Sequence, residues 1–246
     1  MSAVHNNLTL TQAQAEAALA AWLGVPAVCT AVRPMHGGMI NAVFGLEFDR
    51  EPFTAVIKIS ATDGGFASSD FTSGNFAAEA RALDFLRSCT CFPSPQVYRL
   101  EAAPQTLPYA FLLMETIPGV CLAGLNLSQD ERAALDRQLA GVLLELHSHT
   151  GGLYGAVAGE PSGRRWTEVF LPILAEVRAR PEVERRLPAS ALSEVDRAIE
   201  LAALELADAG PPTLIHGDIW DGNLIVRREG SEIGRASCRE RVYACV

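Results

Sequence analysis

The segment Gln12 to Leu23 reads as a helix, introduced by a Thr11/Gln14 capping box and followed by Gly24 after its last turn. Three short strand-like runs come next: Val28 to Met35, Asn41 to Phe48 and Phe53 to Ile59. The turn cluster Asp49-Arg50-Glu51-Pro52 separates the second from the third and predicts a hairpin. His36-Gly37-Gly38, between the first two, reads as a flexible tight turn. Residues 61–74 are rich in Gly, Ser, Thr and Asp and read as a mobile loop. A helix from Asn75 to Arg87 and two extended runs, Gln96 to Leu100 and Tyr109 to Thr116, complete this half.

Beyond Ile117-Pro118-Gly119 the pattern turns helical. Ser128 and Glu131 form a second capping box, and Leu135, Leu139, Val142, Leu143 and Leu146 make an apolar stripe at helical spacing before Gly151-Gly152. Further helices are predicted from about Trp166 to Arg180 and from Ala191 to Ala209. The second of these carries Leu192, Val195, Ile199 and Leu206 on one face and stops at Gly210-Pro211-Pro212. Two brief apolar runs, Thr213 to Ile215 and Leu224 to Val226, flank a polar loop. The expectation is an α+β protein of two lobes with a cleft between them: a strand-rich lobe over 1–116, a helical lobe over 117–226, and a tail over 227–246.

Composition narrows the function classes. With 246 residues, 49% hydrophobic and 20% charged, the chain can bury a sizeable core. Its formal charge of −9 argues against a nucleic-acid partner gripped through a basic face. No apolar run approaches the ~18 residues of a membrane span, so no membrane partner is expected. Met1 to Leu10 carries no Lys or Arg before its apolar stretch and does not read as a signal peptide. The six cysteines have neither C-x-x-C nor zinc spacing, which suits free thiols in a reducing cytoplasm. Of the 20 basic residues, 19 are arginine and Lys58 is the only lysine.

Candidate chemistry concentrates in His216-Gly217-Asp218-Ile219-Trp220-Asp221-Gly222-Asn223, between two strands. Here the Asp218 carboxylate could orient and deprotonate a hydroxyl while the Asn223 amide oxygen holds a divalent cation. The plainer alternative is an Asp-rich turn capping its own backbone. Lys58 ends a strand whose alternation puts Phe53, Ala55, Ile57 and Ile59 on one face and Thr54, Val56 and Lys58 on the other. Lysine in such a place is most often an edge charge. However, Glu79 falls within the stripe Phe76, Ala80, Leu83 and Leu86 of the following helix, where an unpaired carboxylate is costly. Lys58 is its attractive partner, though an arginine could substitute, and a Lys58–Glu79 pair would aim an ammonium at nucleotide phosphates. Gly37 and Gly38 could bring backbone amides to phosphates or simply close a hairpin. Phe111 to Thr116, with Met114 and Glu115 entering the linker, could offer adenine an apolar slot or be a plain core strand.

In this order, these parts resemble the aminoglycoside phosphotransferase and fructosamine kinase superfamily, relatives of protein kinases, over roughly residues 30–226. The resemblance implies a bilobal protein-kinase-like fold with an antiparallel-sheet N-lobe and a mainly helical C-lobe, here incomplete. It implies ATP and Mg2+ as cofactors and transfer of the γ-phosphate to a hydroxyl of an aminoglycoside, ketosamine or similar small molecule. Lys58 and Glu79 would be its strand lysine and helix glutamate, Met114 and Glu115 its hinge, Asp218 its catalytic base and Asn223 its magnesium ligand. The pattern breaks after Asn223: the family needs a second metal-binding aspartate there, and the last aspartate of this sequence is Asp221. From Arg227 to Val246 the net charge is +2, leaving −11 on the rest, and Ser231 to Arg241 looks like foreign sequence. The expectation is a truncated family member of weak or no activity. The alternatives are a non-catalytic nucleotide-binding protein of kinase-like fold and, ranking below it, a hydrolase using His216 and Asp218.

Overall fold

A computed structural model describes residues 8–35, 41–60, 76–89, 94–155, 157, 162–205, 210–229, 232–238 and 243–244, and in it the five strands predicted in the first half pair into one antiparallel sheet. The first half runs α1 (Gln12–Leu23), β1 (Cys29–Met35), β2 (Ala42–Phe48), β3 (Thr54–Ser60), α2 (Phe76–Cys89), β4 (Val97–Glu101) and β5 (Ala110–Glu115). The sheet order is β1-β2-β3-β5-β4, so β3, which carries Lys58, is interior and pairs on both sides. Gly37 and Gly38, the loop 61–74, and residues 206–209 lie outside the described residues.

Both faces of the sheet are covered. Ala55, Ile57 and Ile59 point from β3 into a core shared with Phe44, Leu46, Phe111, Leu113 and, from α1, Ala15, Ala18 and Leu19. On the other face Phe76 and Ala80 of α2 pack with Leu112 and Met114, and Val56 leans against them. Burying each of the Leu, Ile, Phe and Met side chains among them stabilises the fold by about 1.5–3 kcal/mol. The capping box on α1 forms: Gln14 N donates to Thr11 Oγ1 at 3.2 Å, and Thr11 N donates to Gln14 Oε1 at 2.8 Å. Gly24 closes the helix at φ 73°. Gln12 Nε2 and Glu16 Oε1 then tie α1 to the backbone of Cys29, at 2.7 and 3.1 Å. Phe53 departs from the expected alternation: it takes a left-handed φ of 67° in the hairpin turn and is 53% exposed, so the pleat begins only at Thr54.

The chain continues through β6 (Val120–Cys121), α3 (Gln129–Ser148), β7 (Tyr154–Gly155), β8 (Ser162–Gly163), α4 (Trp166–Arg178), α5 (Pro181–Arg186), α6 (Ala189–Glu205), β9 (Leu214–Ile215), β10 (Leu224–Glu229), β11 (Glu232–Cys238) and β12 (Tyr243–Ala244). Two compact units result, residues 1–138 with 219–240 and residues 139–218 with 241–246. The linker near residue 117 lies inside the first unit because β10 pairs with β6, Ile225 opposite Cys121 and Val226 opposite Val120. In the second unit Arg178 joins α4 to α6 through a bidentate pair with Asp196 at 2.8 and 3.0 Å. The helix α6 starts two residues earlier than its pattern predicts and has no buried residue; Val195 of its apolar face is 38% exposed. The tail, despite lacking apolar periodicity, supplies β11 against β10 and β12 against β7 and β9. Main-chain pairing does not require a side-chain alternation.

Gly119 is where linker and β10 approach most closely. At φ 148° a Cβ there would lie 2.6 Å from Ile225 Cγ2 and 2.7 Å from the Val226 carbonyl oxygen. Gly119→Ala should therefore destabilise the protein by about 2 kcal/mol, read as a lowered midpoint in urea unfolding.

Candidate active site

Lys58 Nζ lies 2.5 Å from Glu79 Oε1, with side-chain exposures of 3% and 4%. Lys58 faces α2 because alternation along β3 gives the α1 face to Ala55, Ile57 and Ile59. Glu79 meets it from the first turn of α2, one residue before the core residue Ala80. Since β3 is flanked by β2 and β5, with Val43 and Leu112 opposite Lys58, the edge-charge reading of the lysine falls. Two charges taken out of water together recover their desolvation cost only when they are close and well oriented.

Met114 is buried on the α2 face of β5. Glu115 is turned toward β4: its N–H donates to the Gln96 carbonyl at 2.8 Å and its carboxylate accepts from Gln96 N at 3.0 Å. The next residue brings a feature that sequence reasoning missed. Thr116 Oγ1 is buried with no hydrogen-bond partner among the described residues. Such an orphan is what a bound group would satisfy. A cavity of about 300 Å³ opens beyond the linker, lined by Pro118, Gly119, Val120, Leu125, Val226 and Arg227. Met114 and Glu115 are not among its lining residues.

The polar loop contains two different environments. In the second unit His216 is fully buried, its Nδ1 accepts from Asp218 N at 3.3 Å, and the Asp218 side chain is exposed. In the first unit Asp221–Asn223 forms a 3-10 turn leading into β10, with Asn223 5% exposed and its N–H donating to Trp220 O at 2.9 Å. Asp221 does not cap its own turn: its Oδ2 receives Arg132 Nη1 of α3 at 2.7 Å. That hydrogen bond first, and the one to Asp136 second, raise the Arg132 pKa above its already high ordinary value. Nothing in the spacing of residues 132 and 221 could have announced the contact.

A buried, paired ammonium and an orphaned hydroxyl fit nucleotide binding. For magnesium, Asn223 offers one buried amide oxygen, and Mg2+ commonly completes its shell with substrate phosphates and water. Among the described residues no group of three or more His, Cys, Asp or Glu could hold a metal ion by itself. One protein oxygen thus fits as part of a site that bound phosphates would finish.

A sheet whose interior lysine is paired to a helix glutamate, joined by a linker to helices and an Asp/Asn loop, is the framework of a kinase-like phosphotransferase. The model of the phosphotransferase enzyme family matches residues 31–234, and the chain belongs to that family. It is similar to a probable ketoamine kinase of Klebsiella aerogenes, 27% identical over 167 residues, covering 66% of this chain and 56% of that one. A probable ketoamine kinase of Escherichia coli K12 matches at 27% identity with the same coverages. The chain thus spans a little over half the length of these relatives. Among solved structures, a thermostable mutant of aminoglycoside phosphotransferase APH(4)-Ia, in ternary complex with ADP and hygromycin B, superposes with a TM-score of 0.59 at 16% identity. That match covers 93% of this chain and 72% of the other. It establishes the fold: α+β and kinase-like.

Breaking the buried pair from one side strands a charge. Lys58→Met should cost about 3–5 kcal/mol in urea unfolding, and the double variant Lys58→Met/Glu79→Leu should recover most of that loss.

Proposed function

We propose that this protein is an ATP-dependent phosphotransferase acting on a hydroxyl of a small molecule. The buried Lys58–Glu79 pair carries the reading: a fold has little reason to desolvate its single lysine beside a carboxylate unless the ammonium serves a ligand. Lys58, oriented by Glu79, would hold the nucleotide phosphates. Gly37 and Gly38 would approach them by backbone amides, and Met114, Glu115 and Thr116 would line the base. Asp218, whose side chain is exposed to solvent, is the candidate base that accepts the acceptor hydroxyl's proton as the oxygen attacks the γ-phosphorus and the bond to the β-phosphate oxygen breaks. Asn223 would contribute an oxygen to Mg2+, which when bound neutralises charge on the phosphates.

Charge and kinship support a choice of first acceptors to test. A net charge of −9 suits a cationic acceptor, and the curated relatives carry the name ketoamine kinase. A ketosamine is therefore the first acceptor to test and an aminoglycoside the second. The free thiols Cys29 and Cys121 suit a cytoplasmic setting. Among the described residues no helix is long and apolar enough to cross a membrane. A second reading is a nucleotide-binding protein without turnover: among the described residues no group of three or more His, Cys, Asp or Glu stands ready to hold a metal ion beside Asn223.

A coupled ADP-release assay with Mg2+, ATP and an acceptor panel tests both. The 246-residue polypeptide should bind ATP and turn over slowly with a ketosamine, and Asp218→Ala should lower kcat by about 100-fold or more with ATP affinity unchanged. ATP binding with no turnover on any acceptor, indifferent to Asp218→Ala, would establish the second reading instead.

A further inference from the structure

Asn223 can serve a cation only if the short turn that carries it is held still, and four contacts within the first unit converge on that turn. Arg132 Nη1 meets Asp221 Oδ2 at 2.7 Å, while Arg132 Nε is fixed by Asp136 Oδ1 at 2.9 Å one helical turn along α3. The Cys121 thiol of β6 lies 3.4 Å from the Gly222 carbonyl oxygen and 3.5 Å from that of Asp221, one weak donor shared between two acceptors. The Trp220 indole lies over Gly222 so closely that a Cβ there would come within 2.2 Å of the ring. Asn223 N closes the turn on Trp220 O. Arg132 is in turn seated by its helix start: its N–H donates to Ser128 O at 2.9 Å, and Ser128 and Glu131 exchange the reciprocal capping bonds predicted for them.

We propose that Arg132 and Asp221, seconded by the Cys121 thiol, are positioning residues that bracket the turn and set where Asn223 presents its amide oxygen. The inference rests on the phosphotransferase reading for what Asn223 does, but not for what holds it. It also assigns Asp221. Standing two residues before the candidate ligand, this carboxylate could be taken for a cation ligand itself; a guanidinium at 2.7 Å commits it to the bracket instead. Arginine suits the task because its planar fork engages Asp136 through Nε and Asp221 through Nη1 at once, whereas an ammonium would act as a single point charge. Removing a group that orients a metal ligand commonly weakens metal binding by 10–100-fold.

The test uses the full chain in a Trp22→Phe/Trp166→Phe background, which leaves Trp220 as the sole indole and a reporter seated on the turn. Binding of a fluorescent ATP analogue is titrated with and without Mn2+, and acrylamide quenching of Trp220 is followed in parallel. Arg132→Gln and Asp221→Asn should each weaken the apparent Mn2+ affinity about tenfold, leave metal-free nucleotide binding within about twofold, and raise Trp220 quenching. The double variant should be no worse than either single one, and Arg132→Lys should restore part of the loss. Asp221→Asn abolishing the metal effect while Arg132→Gln spares it would overturn the proposal in favour of direct ligation. Unchanged Trp220 quenching in both singles would overturn it as well. If the parent shows no metal-dependent nucleotide binding, the phosphotransferase reading falls, and Trp220 quenching alone decides whether the bracket stands. Far-UV circular dichroism on each variant separates a loosened turn from an unfolded chain.

Discussion

The arrangement of the first unit depends on one ion pair placed where water cannot reach it. Lys58 occupies the middle strand of five, and its backbone is spoken for on both sides by β2 and β5. Its side chain therefore has one direction to go, toward α2, and Glu79 is the carboxylate waiting there. This one contact couples sheet and helix more specifically than apolar burial can. Phe76, Ala80, Leu112 and Met114 would tolerate small shifts of α2 across the sheet, but a buried charge pair tolerates almost none before its desolvation cost goes uncompensated. A lysine held in that way has its ammonium fixed, a condition that phosphate recognition asks for.

The same division between apolar bulk and a few directional contacts recurs around Asn223. The β6–β10 pairing and the missing side chain of Gly119 let the linker and β10 approach closely, which sets the position of the strand. The turn in front of that strand is then adjusted by polar groups: a guanidinium, a thiol and a backbone hydrogen bond. Packing sets the coarse position, and hydrogen bonds with narrow distance limits set the fine one.

Much of the architecture was legible along the chain. The helix 12–23, its caps, the hairpin and the stripe of α2 are local or periodic properties, and each is written in residues within a few positions of one another. The Lys58–Glu79 contact was legible for a different reason. A carboxylate on a buried stripe demands a cation, and the chain's single lysine, at the end of a strand, was the attractive candidate beside its arginines. The departures were equally physical. Phe53 follows the strand pattern but is diverted by its turn. The tail has no apolar alternation but pairs through its main chain, and the apolar face of α6 is only partly covered, with no fully buried residue.

By itself the sequence determined the main helices and the strands of the first half, which buried carboxylate had to find a cation, and the family to which the motifs belong, because propensity, periodicity and the cost of burying charge all act locally. Only the tertiary structure decided that β3 is interior and not at an edge, that the buried Thr116 hydroxyl has no partner among the described residues, and that Asp221 answers to Arg132. Those facts join residues up to 89 positions apart, and no local rule reaches across such a distance.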